Sequence, residues 1–365
     1  MNCDDKKVFL PGYTCEKFLS IIECSTFLSQ TTYSTSSSPY SASVADVNGD
    51  NQPDIVVTNP NSNNVRVFFN AGNGTFPTQT TYATGAFPQT AALVDVNSDN
   101  RPDIIVPNSN ANSTSVLLNT GNGTFLSQVT YSTGPLPQKI TAVDVNNDTK
   151  PDILVPNAGA NNVGVLLNRG NGTFLPQVAY SVGNSPRSVA AVDINNDNKP
   201  DIIVANGGSN TVGVLLNTGN GTFLSQTTYA VGPTPLSVVV VDINNDNKPD
   251  IIVANGGSST VSVLLNTGNG TFLSQTTYAV GTNPNSVVVV DINNDNQPDI
   301  VVANGSTNTV GVLLNTGNGT FLSQVTYSVG NGPYSVVVAD VNNDNKPDIV
   351  TANYNSNTIS VLFHC

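Results

Sequence analysis

A repeat of 49 residues is the sequence feature that most restricts what this chain can fold into. The segment Asp46-Val-Asn-Gly-Asp50 returns with small changes, always at a spacing of 49 residues. The later copies begin at Asp95, Asp144, Asp193, Asp242, Asp291 and Asp340. A period of this length is typical of stacked coils or of propeller blades, because each unit buries its apolar face only against its neighbours.

Each unit contains four short runs that favour β-strands. In the unit that starts at Ser237 the runs read SVVVVDI, DIIVAN, TVSVLLN and TFLSQTTYAV. Val, Ile, Thr, Phe and Tyr dominate these runs, while Asn, Gly and Pro separate them. The first run is almost continuously apolar and is expected to be the inner strand, covered on both faces. The fourth mixes polar and aromatic residues and is expected at the outer edge.

The two ends of the repeat array favour a closed ring over an open solenoid. The seventh unit stops at Phe363, after its third strand, while residues 27–33 form a fourth strand without the other three. Pairing these pieces would protect every sheet edge. The sequence therefore predicts an all-β fold, a seven-bladed β-propeller of four-stranded blades whose last blade is closed by the N-terminal strand. The predicted domains are a cysteine-containing extension over 1–26 and a single propeller over 27–365.

The loop between the first and second strands has the pattern D-x-N-x-D-x-x-x-D in every unit. Side-chain oxygens at positions 1, 3, 5 and 9, with a backbone carbonyl at position 7 and water, suit the ~6 to 8 oxygen ligands of Ca²⁺. These loops hold 21 of the 25 acidic residues, which would repel one another without a counter-ion. We expect up to seven Ca²⁺ ions with a structural role; the alternative is a metal-free turn in which Asp and Asn cap their own backbone. The predicted ligands are Asp46, Asn48, Asp50, Asp54, Asp95, Asn97, Asp99, Asp103, Asp144, Asn146, Asp148, Asp152, Asp193, Asn195, Asp197, Asp201, Asp242, Asn244, Asp246, Asp250, Asp291, Asn293, Asp295, Asp299, Asp340, Asn342, Asp344 and Asp348.

With these loops, residues 27–363 resemble the FG-GAP or VCBS repeat proteins, which include the propeller of the integrin α-chain and fungal seven-bladed lectins. The resemblance implies that the loops bind Ca²⁺ on one rim, between the first two strands of each blade. The literal Phe-Gly and Gly-Ala-Pro flanks are absent, and Ala303-Asn304 and its equivalents occupy the place of the latter.

Four cysteines lie outside the complete repeats, at Cys3, Cys15, Cys24 and Cys365. Alignment of the split blade puts Cys24 in the place of Asn269 and Cys365 in the place of Thr267, on the two sides of one hairpin turn. A disulfide between them would replace the missing covalent turn and would leave Cys3 to pair with Cys15. Four unrelated thiols in a cytosolic protein are the alternative.

Composition excludes some partners and bears on location. The net charge of −13 argues against nucleic acid, and no apolar run approaches the ~18 residues of a membrane span. The N-terminus lacks the order of a signal peptide, so the chain is cytosolic or a targeting segment lies upstream. The cysteines favour an oxidising compartment, and we expect an extracellular or cell-surface location. A monomer is the default expectation.

Variation between the copies indicates where a partner would bind. The residue after the proline that opens each first strand changes from blade to blade, on the rim opposite the Asp loops. Tyr40, Arg187 and Tyr334 from this position, with Tyr354, are the candidate ligand-binding residues, although simple drift of loop residues would also explain them. The only histidine, His364, is expected to be solvent-exposed, which argues against a His-dependent triad.

Two function classes remain on this evidence. The first is a calcium-stabilised binding or adhesion module, lectin-like or protein-binding, favoured because the repeats show no obvious catalytic set. The second is a carbohydrate-active enzyme of the polysaccharide lyase kind, in which Lys139, Arg187 and the tyrosines would supply the base and the clamp.

Overall fold

The computed structural model describes residues 27–365, which form seven four-stranded antiparallel sheets arranged as the blades of a propeller. The predicted fold class is confirmed. The predicted extension 1–26, with Cys3, Cys15 and Cys24, lies outside the described residues. No helix in the described part of the chain has the length and apolar character needed to cross a membrane.

Each blade takes its strands from one repeat, except the last. The first strand of the described residues is β1 (Thr31–Ser34). Blade 1 contains β2 (Ser41–Ala45), β3 (Asp54–Asn59), the 3-10 helix Pro60–Ser62, β4 (Asn64–Phe69) and β5 (Thr78–Ala83). Blade 2 contains β6 (Ala92–Val94), β7 (Asp103–Asn108), β8 (Ser113–Leu117), the small ribbon β9 (Asn119–Gly121) and β10 (Thr124–Phe125), and β11 (Val129–Ser132). Blade 3 contains β12 (Thr141–Val143), β13 (Asp152–Asn157), β14 (Asn162–Leu166) and β15 (Val178–Ser181).

The remaining blades follow the same order. Blade 4 contains β16 (Pro186–Val192), β17 (Asp201–Asn206), β18 (Thr211–Leu215), the ribbon β19 (Asn217–Gly219) and β20 (Thr222–Phe223), and β21 (Thr227–Ala230). Blade 5 contains β22 (Pro235–Val241), β23 (Asp250–Asn255), β24 (Thr260–Leu264) and β25 (Thr276–Ala279). Blade 6 contains β26 (Pro284–Val290), β27 (Asp299–Asn304), β28 (Thr309–Leu313) and β29 (Val325–Ser328). Blade 7 contains β30 (Pro333–Ala339), β31 (Asp348–Asn353) and β32 (Thr358–Leu362), with β1 as its outer strand.

The first and last parts of the described chain meet in blade 7. Strand β1 pairs antiparallel with β32, with Thr31 opposite Val361. The strand begins at Thr31 rather than at Phe27, but Phe27 forms an isolated bridge with His364 and the Leu28 amide donates to the Phe363 carbonyl at 2.8 Å. Residues 27 and 28 therefore reproduce one side of the hairpin that other blades make with a continuous chain.

The apolar core lies between blades, not within one. One cluster joins Ile203 and Val214 of blade 4 to Ile251 and Val253 of blade 5, and the other clusters repeat this arrangement. A cluster that includes Ile55 and Val361 joins blade 1 to blade 7. Each blade is a sheet with two apolar faces, so neither face is buried until both neighbours are present.

The most buried strand is the second of each blade, not the first. All six residues of β23 are buried, whereas the last three residues of β22 are only half-buried because the first strand faces the central channel. The expectation of an inner strand covered on both faces is therefore wrong for its C-terminal half. The fourth strand is exposed at the outer edge, as predicted.

Polar side chains also connect neighbouring blades. The amide of Asn217 donates to the carbonyls of Val145 in the preceding blade and Pro200 in its own, at 2.9 Å each. Equivalent asparagines repeat this bridge, and Asn70 closes the ring by donating to the Val341 carbonyl of blade 7 at 2.7 Å. The repeated tyrosines pack edge-on against a phenylalanine of the next blade at centroid distances of 5.1 to 5.4 Å. The sequence repeats this tyrosine every 49 residues, which predicts packing between blades, and the structure confirms that role.

Replacement of this bridging amide should destabilise the ring. Asn217 is buried, so Asn217→Ala leaves two carbonyls and the Gly219 amide without their partner. We expect a loss of about 2 to 3 kcal/mol in the free energy of unfolding, measured by denaturant titration. The adjacent exposed Thr218→Ala is the control and should cost less than about 1 kcal/mol. Equal effects of the two variants would contradict a bridging role.

Candidate functional site

The acidic rim is the face of the ring formed by the loops that join the first and second strands of the blades. In blade 4, the Asp193 carboxylate accepts hydrogen bonds from the amides of Asn195, Asp197 and Asn198 at 2.7 to 3.2 Å. The Asp197 carboxylate accepts from the Lys199 amide at 3.0 Å. These are nested Asx turns, which wrap the backbone around the carboxylates at positions 1 and 5.

The carboxylate at position 9 is the most deeply placed of the acidic groups. Asp201 has no exposed surface, and it accepts from the amides of Ile194 at 3.2 Å and Asn217 at 2.7 Å. Burial raises the pKa of Asp201 to about 6. The two backbone hydrogen bonds lower this pKa, whereas the negative charges of Asp197 and Asp193 raise it further. The same burial raises to about 6 the pKa of Asp54, Asp103, Asp152, Asp250, Asp299 and Asp348.

Position 7 gives some loops a partial counter-charge. Lys199 Nζ lies 3.3 Å from Asp197 Oδ2, and Arg101, Lys150 and Lys248 make equivalent pairs in their loops. Both partners are solvent-accessible, so each pair contributes little. In blades 1 and 6 the same position holds Gln52 and Gln297, which leave three carboxylates with no basic residue in the loop.

Across residues 27–365, no three side chains of the His, Cys, Asp and Glu types converge closely enough to hold a metal ion as they stand. The carboxylates are turned toward backbone amides, the arrangement expected for the metal-free alternative. The donor set nevertheless has the chemistry that Ca²⁺ prefers, because all the polar side chains at positions 1, 3, 5 and 9 offer oxygen.

The loops require two residues with left-handed backbone. Position 6 has a positive φ in every copy, as expected from its asparagines, and Thr149 takes the same conformation at φ 67°. Position 4 also has a positive φ throughout, for example 81° at Gly49 and 62° at Asn196. Gly, Asn and Ser at position 4 are the sequence signal for this second requirement, which the pattern of acidic residues does not reveal.

Blade 3 should gain stability when its strained threonine is replaced. A β-branched residue resists positive φ, whereas Asn tolerates it, so Thr149→Asn should raise the free energy of unfolding by about 1 kcal/mol. Chemical denaturation measures the change. The reverse substitution in the next blade, Asn198→Thr, should lower the free energy of unfolding by a similar amount. A loss of stability in Thr149→Asn would show that φ strain is not the dominant effect there.

The channel mouth is the opposite rim, where the chain enters the first strand of each blade. It encloses a cavity of about 560 Å³ lined by residues that include Tyr40, Lys139, Arg187, Tyr334 and Tyr354. Each residue that follows the opening proline lines this cavity, so the variable position singled out in the sequence faces one shared space: Tyr40, Gln89, Gln138, Arg187, Leu236, Asn285 and Tyr334.

Three tyrosines form a cluster at the junction of blades 1 and 7. The ring centroids of Tyr40 and Tyr334 are 5.0 Å apart, as are those of Tyr334 and Tyr354, and Tyr40 lies 6.5 Å from Tyr354. Burial raises the pKa of Tyr40 to about 12, and the neighbouring tyrosines act in the same direction. The positive charge of Arg187 lowers this pKa but does not offset the effect of burial. The structure thus brings the four candidate ligand residues to one cavity.

Lys139, the candidate base of the enzyme alternative, lines the same cavity. Its Nζ donates to Ser237 Oγ at 3.0 Å, two blades further round the ring, and its backbone amide donates to the Arg187 carbonyl at 3.2 Å. Protein atoms surround the ammonium although part of the residue remains accessible, and this burial lowers the pKa of Lys139 to about 8.

His364 is buried, so the expectation of an exposed histidine is wrong. It has 5% of its surface exposed and stacks on Phe27 at a centroid distance of 4.9 Å. Its backbone amide donates to Asp348 Oδ1 at 2.9 Å, the bond that Asn217 makes to Asp201 in blade 4. His364 therefore occupies the place of the bridging asparagine in the last blade.

Comparison with solved structures shows the same fold in proteins of low sequence identity. A streptogramin B lyase structure superposes with a TM-score of 0.67 at 15% identity, covering 93% of this chain and 99% of that chain. A catalytically inactive virginiamycin B lyase from Staphylococcus aureus with quinupristin gives a TM-score of 0.66 at 14% identity, covering 92% and 99%. BBS1N in complex with ARL6DN gives 0.67 at 13% identity, covering 93% and 98%. At these identities the likeness concerns the fold alone.

Sequence comparison identifies the repeat. No curated protein matches the chain. The model of the FG-GAP-like repeat matches residues 46–106, 95–155, 157–204, 193–253, 242–302 and 291–351. These matches span most of the propeller and include the acidic loops of all its blades, so the chain belongs to the FG-GAP-like repeat family.

Proposed function

We propose that this protein is a calcium-stabilised extracellular binding module that recognises a glycan or a protein at the channel mouth. The observation that carries the proposal is the cluster of Tyr40, Tyr334 and Tyr354 on a cavity of about 560 Å³. This volume lies within the ~300 to 1,000 Å³ of ligand pockets, and half-buried aromatic rings with a polar end are suited to recognition. The acidic loops lie on the other rim, where bound ions would stabilise the scaffold without touching the partner.

Calcium would be held in each loop by the side chains at positions 1, 3, 5 and 9. When bound, the ion would supply positive charge to three carboxylates, of which the one at position 9 is disfavoured in its ionised form by burial. The proposed location outside the cell suits the cysteines, because that compartment is oxidising and lets disulfides form.

A glycan array and a panel of purified extracellular proteins, each probed in calcium, test the binding proposal. The variants Tyr40→Gln and Tyr334→Asn use residues that blades 2 and 6 already carry at the same position, so the fold should tolerate them. We expect either variant to weaken binding about tenfold, since buried aromatic anchors contribute most to such contacts. Lys248→Gln on the acidic rim is the control. Binding that both tyrosine variants leave unchanged would contradict the channel mouth as the site.

A second candidate, an acidic-polysaccharide lyase, is favoured by one observation. Burial lowers the pKa of Lys139 to about 8, which leaves part of the amine neutral and able to act as a base near that pH. In such a reaction Lys139 would take the proton next to the sugar carboxylate. The neighbouring glycosidic C–O bond would break, its oxygen would gain a proton from a tyrosine, and a carbon–carbon double bond would form. Ultraviolet absorbance of the unsaturated product on incubation with polyuronates tests this, and its absence would leave the binding module.

A further inference from the structure

Most basic side chains of the described residues lie in the acidic loops, but two of them lie at the channel mouth. Residues 27–365 contain nine Lys and Arg residues, of which five lie in the acidic loops. Arg66 lies on the outer part of blade 1, where it donates to Gln79 at 3.0 Å, and Arg169 lies in a hairpin turn. The remaining two, Lys139 and Arg187, line the channel mouth.

Neither of these two cations has a carboxylate partner within residues 27–365. Every ion pair formed there joins a basic residue to position 5 of an acidic loop. All the acidic residues of the repeats lie on the opposite rim. The channel mouth is therefore a basic cavity in a chain whose net charge is −13.

Lys139 interrupts an otherwise uniform ring of hydroxyl groups. The second residue after the opening proline carries a hydroxyl in the other blades, namely Ser41, Thr90, Ser188, Ser237, Ser286 and Ser335. An ammonium group has three N–H donors, and within the described residues one of them is used, toward Ser237. The others are available to a ligand in the cavity.

Arg187 has donors to spare in the same place. Its Nη1 donates to Gln138 Oε1 at 3.3 Å, while its Nε is buried and has no hydrogen-bond partner in the described part of the chain. A guanidinium has five N–H donors, so those at the Nη atoms that the described residues leave unused can bind an anionic ligand in the cavity. Since the Lys139 amide bonds to the Arg187 carbonyl, the two residues are neighbours on adjacent blades.

We propose that the channel mouth binds an acidic saccharide, with the carboxylate held by Lys139 and Arg187 and the sugar ring packed against the tyrosine cluster. The inference rests on the proposed function and assigns its ligand class. Tyrosine rings offer an apolar face for the C–H face of a sugar, and the part-exposed side chain of Asn285, which lines the same cavity, offers a partner for its hydroxyls.

Calorimetric titration with trigalacturonic acid tests the proposal, with maltotriose as the neutral trisaccharide. The main variants are Lys139→Ser and Arg187→Asn, which introduce residues that other blades carry at these positions. The control variant is Lys248→Gln on the acidic rim, which also removes one positive charge. Blade 6 carries Gln297 at the equivalent position, so the fold should tolerate this change. We expect each channel variant to weaken trigalacturonate binding about tenfold or more, because a hydrogen bond to a charged group contributes that much, while Lys248→Gln leaves binding unchanged.

Several results would overturn the inference. Equal binding of maltotriose, or no loss in Lys139→Ser and Arg187→Asn, would show that charge does not select the ligand. Equally tight binding of polyglutamate, lost in the same variants, would assign the site to acidic peptides. Failure of trigalacturonate to bind while another glycan or protein binds through the tyrosines would refute the inference alone. Failure of every probe, with all variants melting like the wild type, would refute the proposed function as well.

Discussion

Excess chelator should lower the melting temperature of this protein by roughly 10 °C or more. Each calcium site adds RT ln(1 + [L]/Kd) to the free energy of unfolding, about 2.7 kcal/mol at a concentration of 100 Kd, and the chain has seven loops of one pattern. Differential scanning calorimetry in calcium and in chelator measures the effect, and elemental analysis of the dialysed protein counts the bound ions.

Magnesium provides the control for this expectation. Mg²⁺ demands near-octahedral geometry and loses water reluctantly, so an equal concentration should restore little of the lost stability. A melting curve that chelator leaves unchanged, together with no metal in the purified protein, would refute the calcium sites. The nested Asx turns would then hold the acidic loops without an ion.

The metal-free protein should also become less stable as the pH rises toward neutrality. The folded-state pKa of about 6 for Asp201 exceeds the ordinary value of 3.8, so the native state binds protons more tightly than the unfolded chain. The cost of ionising this buried group is absent at low pH and complete above about pH 6. The melting temperature without calcium should therefore fall between about pH 4 and pH 6. Saturating calcium, which needs ionised ligands, should reverse that slope.

The second large effect concerns the expected disulfide between Cys24 and Cys365. In blade 5 the residues at the equivalent positions, Asn269 and Thr267, have side-chain oxygens 3.1 Å apart. Cys365 directly follows His364, which bridges to Phe27, and Cys24 precedes Phe27 by three residues. A bond across more than 300 residues would stabilise the fold by roughly 4 to 6 kcal/mol in the chain-entropy treatment, so Cys365→Ser should reduce the free energy of unfolding by up to that amount.

Mass mapping of non-reduced peptides decides which cysteines are joined. Cys24 linked to Cys3 or Cys15, or four free thiols after oxidative expression, would contradict the expectation. Reduction of the bond should increase hydrogen exchange first in β1 and β32, because that outer hairpin is the one without a continuous chain. Cys3→Ser is the matched control and should leave exchange in these two strands unchanged.

Features that repeat locally were predictable from the sequence, and those that depend on distant partners were not. The period of 49 residues, the Asp loops and the interblade tyrosines each follow from a pattern within one unit or between neighbouring units. The bridge made by Asn217 was not predictable, because its partner Val145 lies 72 residues earlier. The burial of His364 was missed for the same reason, since its surroundings come from Phe27.

The channel mouth was only partly predictable. Variation after the opening proline singled out Tyr40, Tyr334 and Arg187, which the structure places on one cavity. Lys139 stands out only when the residues at its position in the seven blades are compared with one another. Six blades carry a hydroxyl side chain there, and one carries the amine of Lys139. Its reach across the channel to Ser237 depends on the curvature of the ring, which no local pattern specifies.

The pairing of β1 with β32 sets an order of events during protein synthesis. Thr31 meets Val361 only after the ribosome has made the 330 residues that follow Thr31, which takes tens of seconds at ~5–20 residues per second. Among the strands of residues 27–365, the one made first is thus the last to be paired. The sequence of β1, TTYS, suits this delay, because three of its four residues remain exposed in the finished ring. While translation continues, the strand therefore offers little apolar surface to an incorrect partner.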